Sequence, residues 1–204
     1  MEGEVRRNGE RRLQILQALA TMLQEPQPEK ITTAALAARV GVSEAALYRH
    51  FSSKAQMYEG LIEFIEQTLF GLIARIVADT HSPPAQVEAI LVTLLSFATK
   101  NPGMTRVLIG EALVHENTRL QKRINQLQDR IEAQLRQCLR LGGDRLANAS
   151  APLANLLLCL VVGRWHQYAK SGFTRGPEGD VAFMLSHLLA DAASTGSARA
   201  TDRA

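Results

Sequence analysis

Residues 31–54, ITTAALAARVGVSEAALYRHFSSK, constrain the fold more than any other stretch of this chain. They read as two short helices joined by a tight turn. Thr33 is placed to cap a helix running to about Val40, with Ala34, Leu36, Ala37 and Val40 as a small apolar face. Gly41 supplies the turn position that ends it. Ser43 caps the next helix, Glu44 sits in its first turn, and Ala46 and Leu47 lie inside. Small inner faces let two helices cross steeply, as a helix-turn-helix requires. The second helix presents Ser43, Ala45, Tyr48, Arg49 and His50, with no bulky apolar side chain to keep it out of a major groove.

The run GVSEAALYRHFSSK resembles the DNA-binding signature of TetR-type regulators. In that signature the recognition helix ends in a Tyr-x-His-Phe-like cluster, and a Ser/Asn-x-Lys turn starts the long fourth helix. The matching residues are Leu47, Tyr48, His50, Phe51, Ser53 and Lys54. Thr33 and Lys54, each at a helix start, suit phosphate oxygens. Tyr48 and His50 suit the DNA backbone, while Leu47 and Phe51 plug the core of the head. Base reading falls to Ser43, Ala45 and Arg49. Ala45 suits a thymine methyl, and Arg49 has phosphate as its alternative.

Charge does not decide the matter. The 204 residues carry a net +3, and residues 1–60 hold eight Lys/Arg against seven Asp/Glu. Placement is more telling. Arg6, Arg7, Arg11 and Arg12 cluster on the first helix, and Arg39, Arg49 and Lys54 lie around the second and third, which favours phosphate contacts. Cys138 and Cys159 sit in helical, apolar settings and read as buried thiols of a reducing cytoplasm. Residues 1–12 are charged and do not read as a signal peptide. The most apolar run, about 151–163, reads as a buried helix and not as a membrane segment. The expected location is the cytoplasm, in association with the nucleoid.

Helical periodicity recurs along almost the whole chain, and no β-alternation is convincing. The expected fold is all-α and TetR-like, with about nine helices: a three-helix DNA-binding head and a six-helix body. Helices are placed at about 9–24, 33–40, 43–50, 54–79, 85–100, 104–115, 118–141, 151–170 and 181–193. The expected domains are a head at 1–55, a helical dimerisation and partner-binding domain at 56–193, and a disordered tail at 194–204. In the seventh helix Leu120, Ile124, Leu127, Ile131, Leu135 and Cys138 form a near-heptad seam, assigned to packing within the chain. The TetR resemblance implies a homodimer through the last two helices, burying Leu156, Leu160, Leu185 and Leu188. Two heads would then sit on successive major grooves of a palindromic double-stranded site.

Little in the sequence supports catalysis or a cofactor. The histidines at 50, 81, 115, 166 and 187 are scattered, without metal-ligand spacing. No Gly-rich phosphate loop or Gly-x-Ser-x-Gly elbow occurs. The reading is therefore of a non-enzyme with no catalytic or metal residues and no cofactor.

Outside the head, LIEFIE (61–66), NPGMTRVL (101–108), RLQKRINQL (119–127) and RIEAQLRQ (130–137) resemble the SlmA family of nucleoid-occlusion factors. That family antagonises assembly of the tubulin-like division protein FtsZ when bound to chromosomal sites. The resemblance implies DNA as activating partner and FtsZ as target, with no small-molecule inducer. Carried onto this chain, the docking positions are Phe64 and Asn101, with Lys100 in place of an Arg. Leu72, Thr93 and Ser96 depart from the family's Arg, Leu and Gly. Arg75, Lys100 and Arg106 would supply positive charge for an acidic tail. The alternative is a ligand-responsive TetR-type repressor with Trp165, His166 and Tyr168 lining a pocket. An enzyme on an all-helical scaffold is the remaining rival.

Overall fold

The computed structural model describes residues 2–25 and 31–194, with side chains for 9–25 and 31–188. The described residues form nine α-helices and one 3-10 turn, without strands. They are α1 Glu2–Leu23, α2 Thr33–Val40, α3 Glu44–His50, α4 Lys54–Asp79, α5 Pro83–Lys100, α6 Pro102–Leu108, α7 Thr118–Arg140, α8 Asp144–Lys170 and α9 Val181–Ser194. The 3-10 turn is Glu111–Leu113. The all-α expectation holds, and the expected tail falls outside the described residues beyond Ser194.

Three boundaries differ for physical reasons. The residue capping α2 is Thr32, whose Oγ accepts from the Ala35 N–H at 3.1 Å, so Thr33 is the first helical residue. The helix expected at 104–115 ends at Leu108, because Gly110 takes a φ of 77° and only a 3-10 turn follows. The eighth helix starts at Asp144, seven residues early. It absorbs Pro152, at the loss of one backbone hydrogen bond.

The chain divides into two compact units. The first comprises Met1–Thr68 and Lys100–Asn125, the second Leu69–Thr99 and Gln126–Ala204. Compactness therefore divides the chain elsewhere than at 55/56. The first half of α4, all of α6 and the start of α7 fold with α1–α3.

In the first unit the buried line of α1 is Ile15, Leu16, Leu19 and Leu23, while Leu13 is exposed. α1 packs on α2, α3 and α6. Leu36, Leu47, Phe51, Met57, Leu61 and Ile62 complete this core, which confirms Leu47 and Phe51 as plugs. The contact of α1 with α6 is very close. A Cβ added at Gly103 would lie 1.9 Å from the Ala20 carbonyl oxygen, so only glycine fits there.

In the second unit Ile90, Leu94, Ile131, Leu135, Val161 and Trp165 are fully buried. The whole α7 seam is buried within the chain, as an intramolecular seam should be. Cys138 is buried, and its thiol pKa is raised by burial. Cys159 is exposed, against the expectation of two buried thiols. With its extra turns, α8 becomes long and apolar enough to cross a membrane by length and composition. One third of its most apolar stretch is buried in the protomer.

Candidate nucleic-acid interface

The turn between α2 and α3 is fixed by local chemistry. Gly41, left-handed at φ 73°, sends its N–H to the Ala38 carbonyl at 3.2 Å, and Val42 sends its own to Ala37 at 3.0 Å. Ser43 caps α3 as expected, its Oγ accepting from the Ala46 N–H at 3.2 Å. At the start of α4, Ser53 Oγ accepts from the Gln56 N–H at 3.2 Å, and Gln56 Oε1 accepts from the Ser52 N–H at 3.0 Å.

On this frame Ala45, Tyr48 and Arg49 share one face of α3, and all three are exposed. Ser43 is exposed too, but its hydroxyl oxygen is already used by the cap. Thr33 and Tyr48 are brought together. The Tyr48 hydroxyl donates to Thr33 Oγ1 at 3.4 Å, and Thr33 donates to Glu44 Oε2 at 2.6 Å. Glu44 thus orients both hydroxyls.

His50 is half-buried at the end of α3, with its Nδ1 enclosed and unpartnered. Burial, then the charges of Arg11, Arg12 and Arg49, lower its pKa from the ordinary 6.5. The shift favours the neutral ring, and with Nδ1 enclosed, Nε2 is the nitrogen left to meet a partner outside the chain. An open hollow of about 370 Å³ is lined by Arg11, Ile15, Val42, Ala46, Arg49 and His50.

The α1 arginines do not act alike. Arg12 donates to the His50 carbonyl at 2.5 Å, and its guanidinium lies 4.2 Å from the Phe51 ring centroid. It ties the end of α3 to α1, where the sequence suggested a phosphate ligand. Arg11 is exposed beside the hollow, and the side chains of Arg6 and Arg7 lie outside the described residues. Arg39 stands 3.9 Å from Glu25, both exposed.

Lys54 is not a free cation. Its ammonium pairs with the Glu116 carboxylate, which follows the 3-10 turn, and both side chains are largely covered, 21% and 13% exposed. The same ammonium lies 5.7 Å from the centroid of the buried Tyr58 ring. Burial first, then Glu116, raises the phenol pKa well above 10. Sequence reasoning passed over Glu116, 62 residues from Lys54, and over the partner that Glu44 finds in Thr33.

The positions carried over for a protein partner fall in both units. In the first, Phe64 is half-buried, Lys100 exposed and Asn101 half-buried. The Asn101 carbonyl accepts from the Thr105 N–H at 3.0 Å and from its hydroxyl at 3.1 Å, so the corner is a built helix start. Lys100 and Asn101 line a hollow of about 200 Å³ with Gln17 and Thr21 of α1 and with Gln24 just past its end. Arg106 is buried at 4% exposure, 3.7 Å from Glu111, and is not a surface cation. Arg75 is exposed. Leu72, Thr93 and Ser96 are half-buried in the second unit.

The residues suggested for a ligand pocket do not converge on one. Trp165 is fully buried and donates its Nε1–H to the Leu94 carbonyl at 3.2 Å. Tyr168 donates to the Thr99 carbonyl at 3.3 Å, and His166 is exposed. A hollow of about 440 Å³ lies on the outer side of α8, against the 175–180 loop that Arg164 ties down through Pro177 and Gly179. Its lining includes Cys159, Gln167, Arg175 and Asp180, which is polar for an apolar inducer. Of the expected interface leucines, Leu156 is exposed and Leu160 and Leu188 half-buried. Leu185 is buried within the protomer and so is not available to a partner.

Comparison with known proteins supplies the wider context. Residues 83–190 match the SlmA-like family model described as a tetracyclin repressor-like C-terminal domain, and residues 15–61 match bacterial regulatory proteins of the tetR family. A nucleoid occlusion factor SlmA of Alteromonas mediterranea is 52% identical over 171 residues, covering 82% of this chain and 88% of its own. One from a Marinomonas species is 51% identical over 175 residues, covering 84% and 89%. Among solved structures, a TetR transcription regulator from Haloarcula marismortui superposes with a TM-score of 0.70 at 16% identity, covering 92% of this chain and 98% of its own. The regulator FadR from Bacillus subtilis, in complex with stearoyl-CoA, gives 0.68 at 15%, covering 86% and 96%. At such identities these two superpositions speak for the fold alone.

Proposed function

The chain belongs to the SlmA family of nucleoid occlusion factors, and from that premise we propose that it binds a two-fold DNA site as a homodimer and, so bound, antagonises FtsZ assembly in the cytoplasm. One observation carries the reading: about half the residues match these relatives over more than four-fifths of the chain, so the likeness covers the body as well as the head. A shared head alone would speak only for DNA.

In this reading α3 enters the major groove. Ala45 and Arg49 meet base edges, Thr33, Tyr48 and His50 meet the backbone, and Lys54 meets a phosphate. Ser43 acts through the helix it caps. The dimer forms where α8 and α9 leave Leu156 and Phe183 exposed. Phe64, Lys100 and Asn101 receive the FtsZ segment. The Asn101 corner rests on α1 through Gly103, so a shift of α1 on DNA reaches the docking residues directly. The committed hydrogen bonds of Trp165 and Tyr168 speak against a ligand-responsive repressor.

The test is co-sedimentation of FtsZ polymers with GTP and DNA-loaded protein. Phe64→Ala and Asn101→Ala should restore the polymer pellet while DNA affinity stays unchanged. Variants that fold and bind DNA yet still suppress the pellet would refute the docking assignment.

A further inference from the structure

A DNA phosphate that reaches for Lys54 meets an ammonium already paired within the chain and largely covered, 21% exposed. That ammonium is held by a carboxylate that is only 13% exposed, on a loop 62 residues further along the chain. We propose that Glu116 is a built-in brake on DNA binding: it holds Lys54 in the free protein, and a backbone phosphate must draw the ammonium away.

Given the DNA reading above, the energetics of part-buried pairs set the cost of that exchange. A carboxylate so covered is costly to leave alone, so the phosphate contact is made against the loss of the pair. Lys54 starts α4, and Glu116 stands two residues before α7. The exchange therefore also frees the 114–117 turn from the start of α4. The brake is indifferent to base sequence, since a phosphate carries none. It raises the concentration at which any duplex is bound and leaves the preference among duplexes to Ala45 and Arg49.

A double-mutant cycle tests this, with affinity for a specific and a random duplex measured from 50 to 300 mM salt. Glu116→Gln should tighten binding to both duplexes by about fivefold at low salt, the scale of one charge-assisted contact at a part-exposed site. It should also steepen the plot of log affinity against log salt by up to about 0.9. Lys54→Ala should weaken binding little in the native protein and about fivefold more in the Glu116→Gln background. The double variant Lys54→Ala/Glu116→Ala leaves no lone charge behind and should bind like Lys54→Ala.

Equal effects of Lys54→Ala in both backgrounds would overturn the proposal. So would a Glu116→Gln protein that melts normally but binds less tightly, because Glu116 would then be positioning Lys54 for DNA. A native protein that binds neither duplex would instead overturn the DNA reading itself.

Discussion

The head and the outer face of α8 and α9 handle their surface groups in opposite ways. On the head several polar side chains around α3 already have a partner within the chain: Thr33 with Glu44 and Tyr48, Ser43 with the α3 backbone, Lys54 with Glu116. On α8 and α9 the opposite holds for apolar groups, with Leu156 48% and Phe183 65% exposed. On the first surface a DNA phosphate must compete with partners inside the chain for the protons of Thr33, Tyr48 and Lys54. The second is unfinished, and water is a poor neighbour for it.

That contrast can be broken most severely in the body. Trp165→Ala should cost about 3–5 kcal/mol, since a fully buried indole and its bond to the Leu94 carbonyl both go. Urea titration should give an early midpoint, and a loss below about 1 kcal/mol would mean that the indole is not a pillar of that core. The next effect is on assembly. Leu156→Asp should weaken the dimer by about 2 kcal/mol or more without unfolding the protomer. Equilibrium sedimentation decides it: an unchanged dimer would show that this face is not the interface.

On the head the effects are smaller. Ser43→Ala should destabilise by about 1 kcal/mol through loss of the cap. Ser43→Asp sharpens the point, because it keeps the cap and sets a carboxylate against DNA. That variant should melt like the native protein and fail to bind duplex; normal binding would show that the start of α3 does not face DNA. The smallest effect concerns pH. The His50 pKa is lowered in the folded chain, so on acidification the unfolded chain takes up that proton first. Stability from this residue is complete above pH 6.5 and falls as pH drops from there toward the folded value. Comparing urea midpoints at pH 8 and pH 5, His50→Gln should lose less than the native protein; equal losses would contradict it.

The same contrast separates what the sequence discloses from what it hides. The Ser43 cap, the left-handed Gly41 and the three-and-four spacing of α4 and α7 are local patterns, and each is found where the sequence puts it. Adjacent threonines at 32 and 33 offer two caps of equal chemistry, and the backbone uses the first. The pairing of Lys54 with Glu116 joins residues far apart in the chain, and no periodicity announces it. Nor does a run of arginines tell which one donates to the His50 carbonyl. Arg106 looks like a surface cation in NPGMTRVL, yet α6 turns it inward toward Glu111. Gly103 in the same run is conspicuous only once α1 is seen pressed against it.

The central claim is that DNA and FtsZ antagonism are coupled in one molecule. Light scattering of FtsZ with GTP measures it most directly, at saturating protein, with either the protein's own site or a scrambled duplex of equal length. The account predicts markedly lower scattering with the specific duplex than with the scrambled one or with protein alone. Equal scattering in all three would contradict it and leave a DNA-binding protein without that coupling.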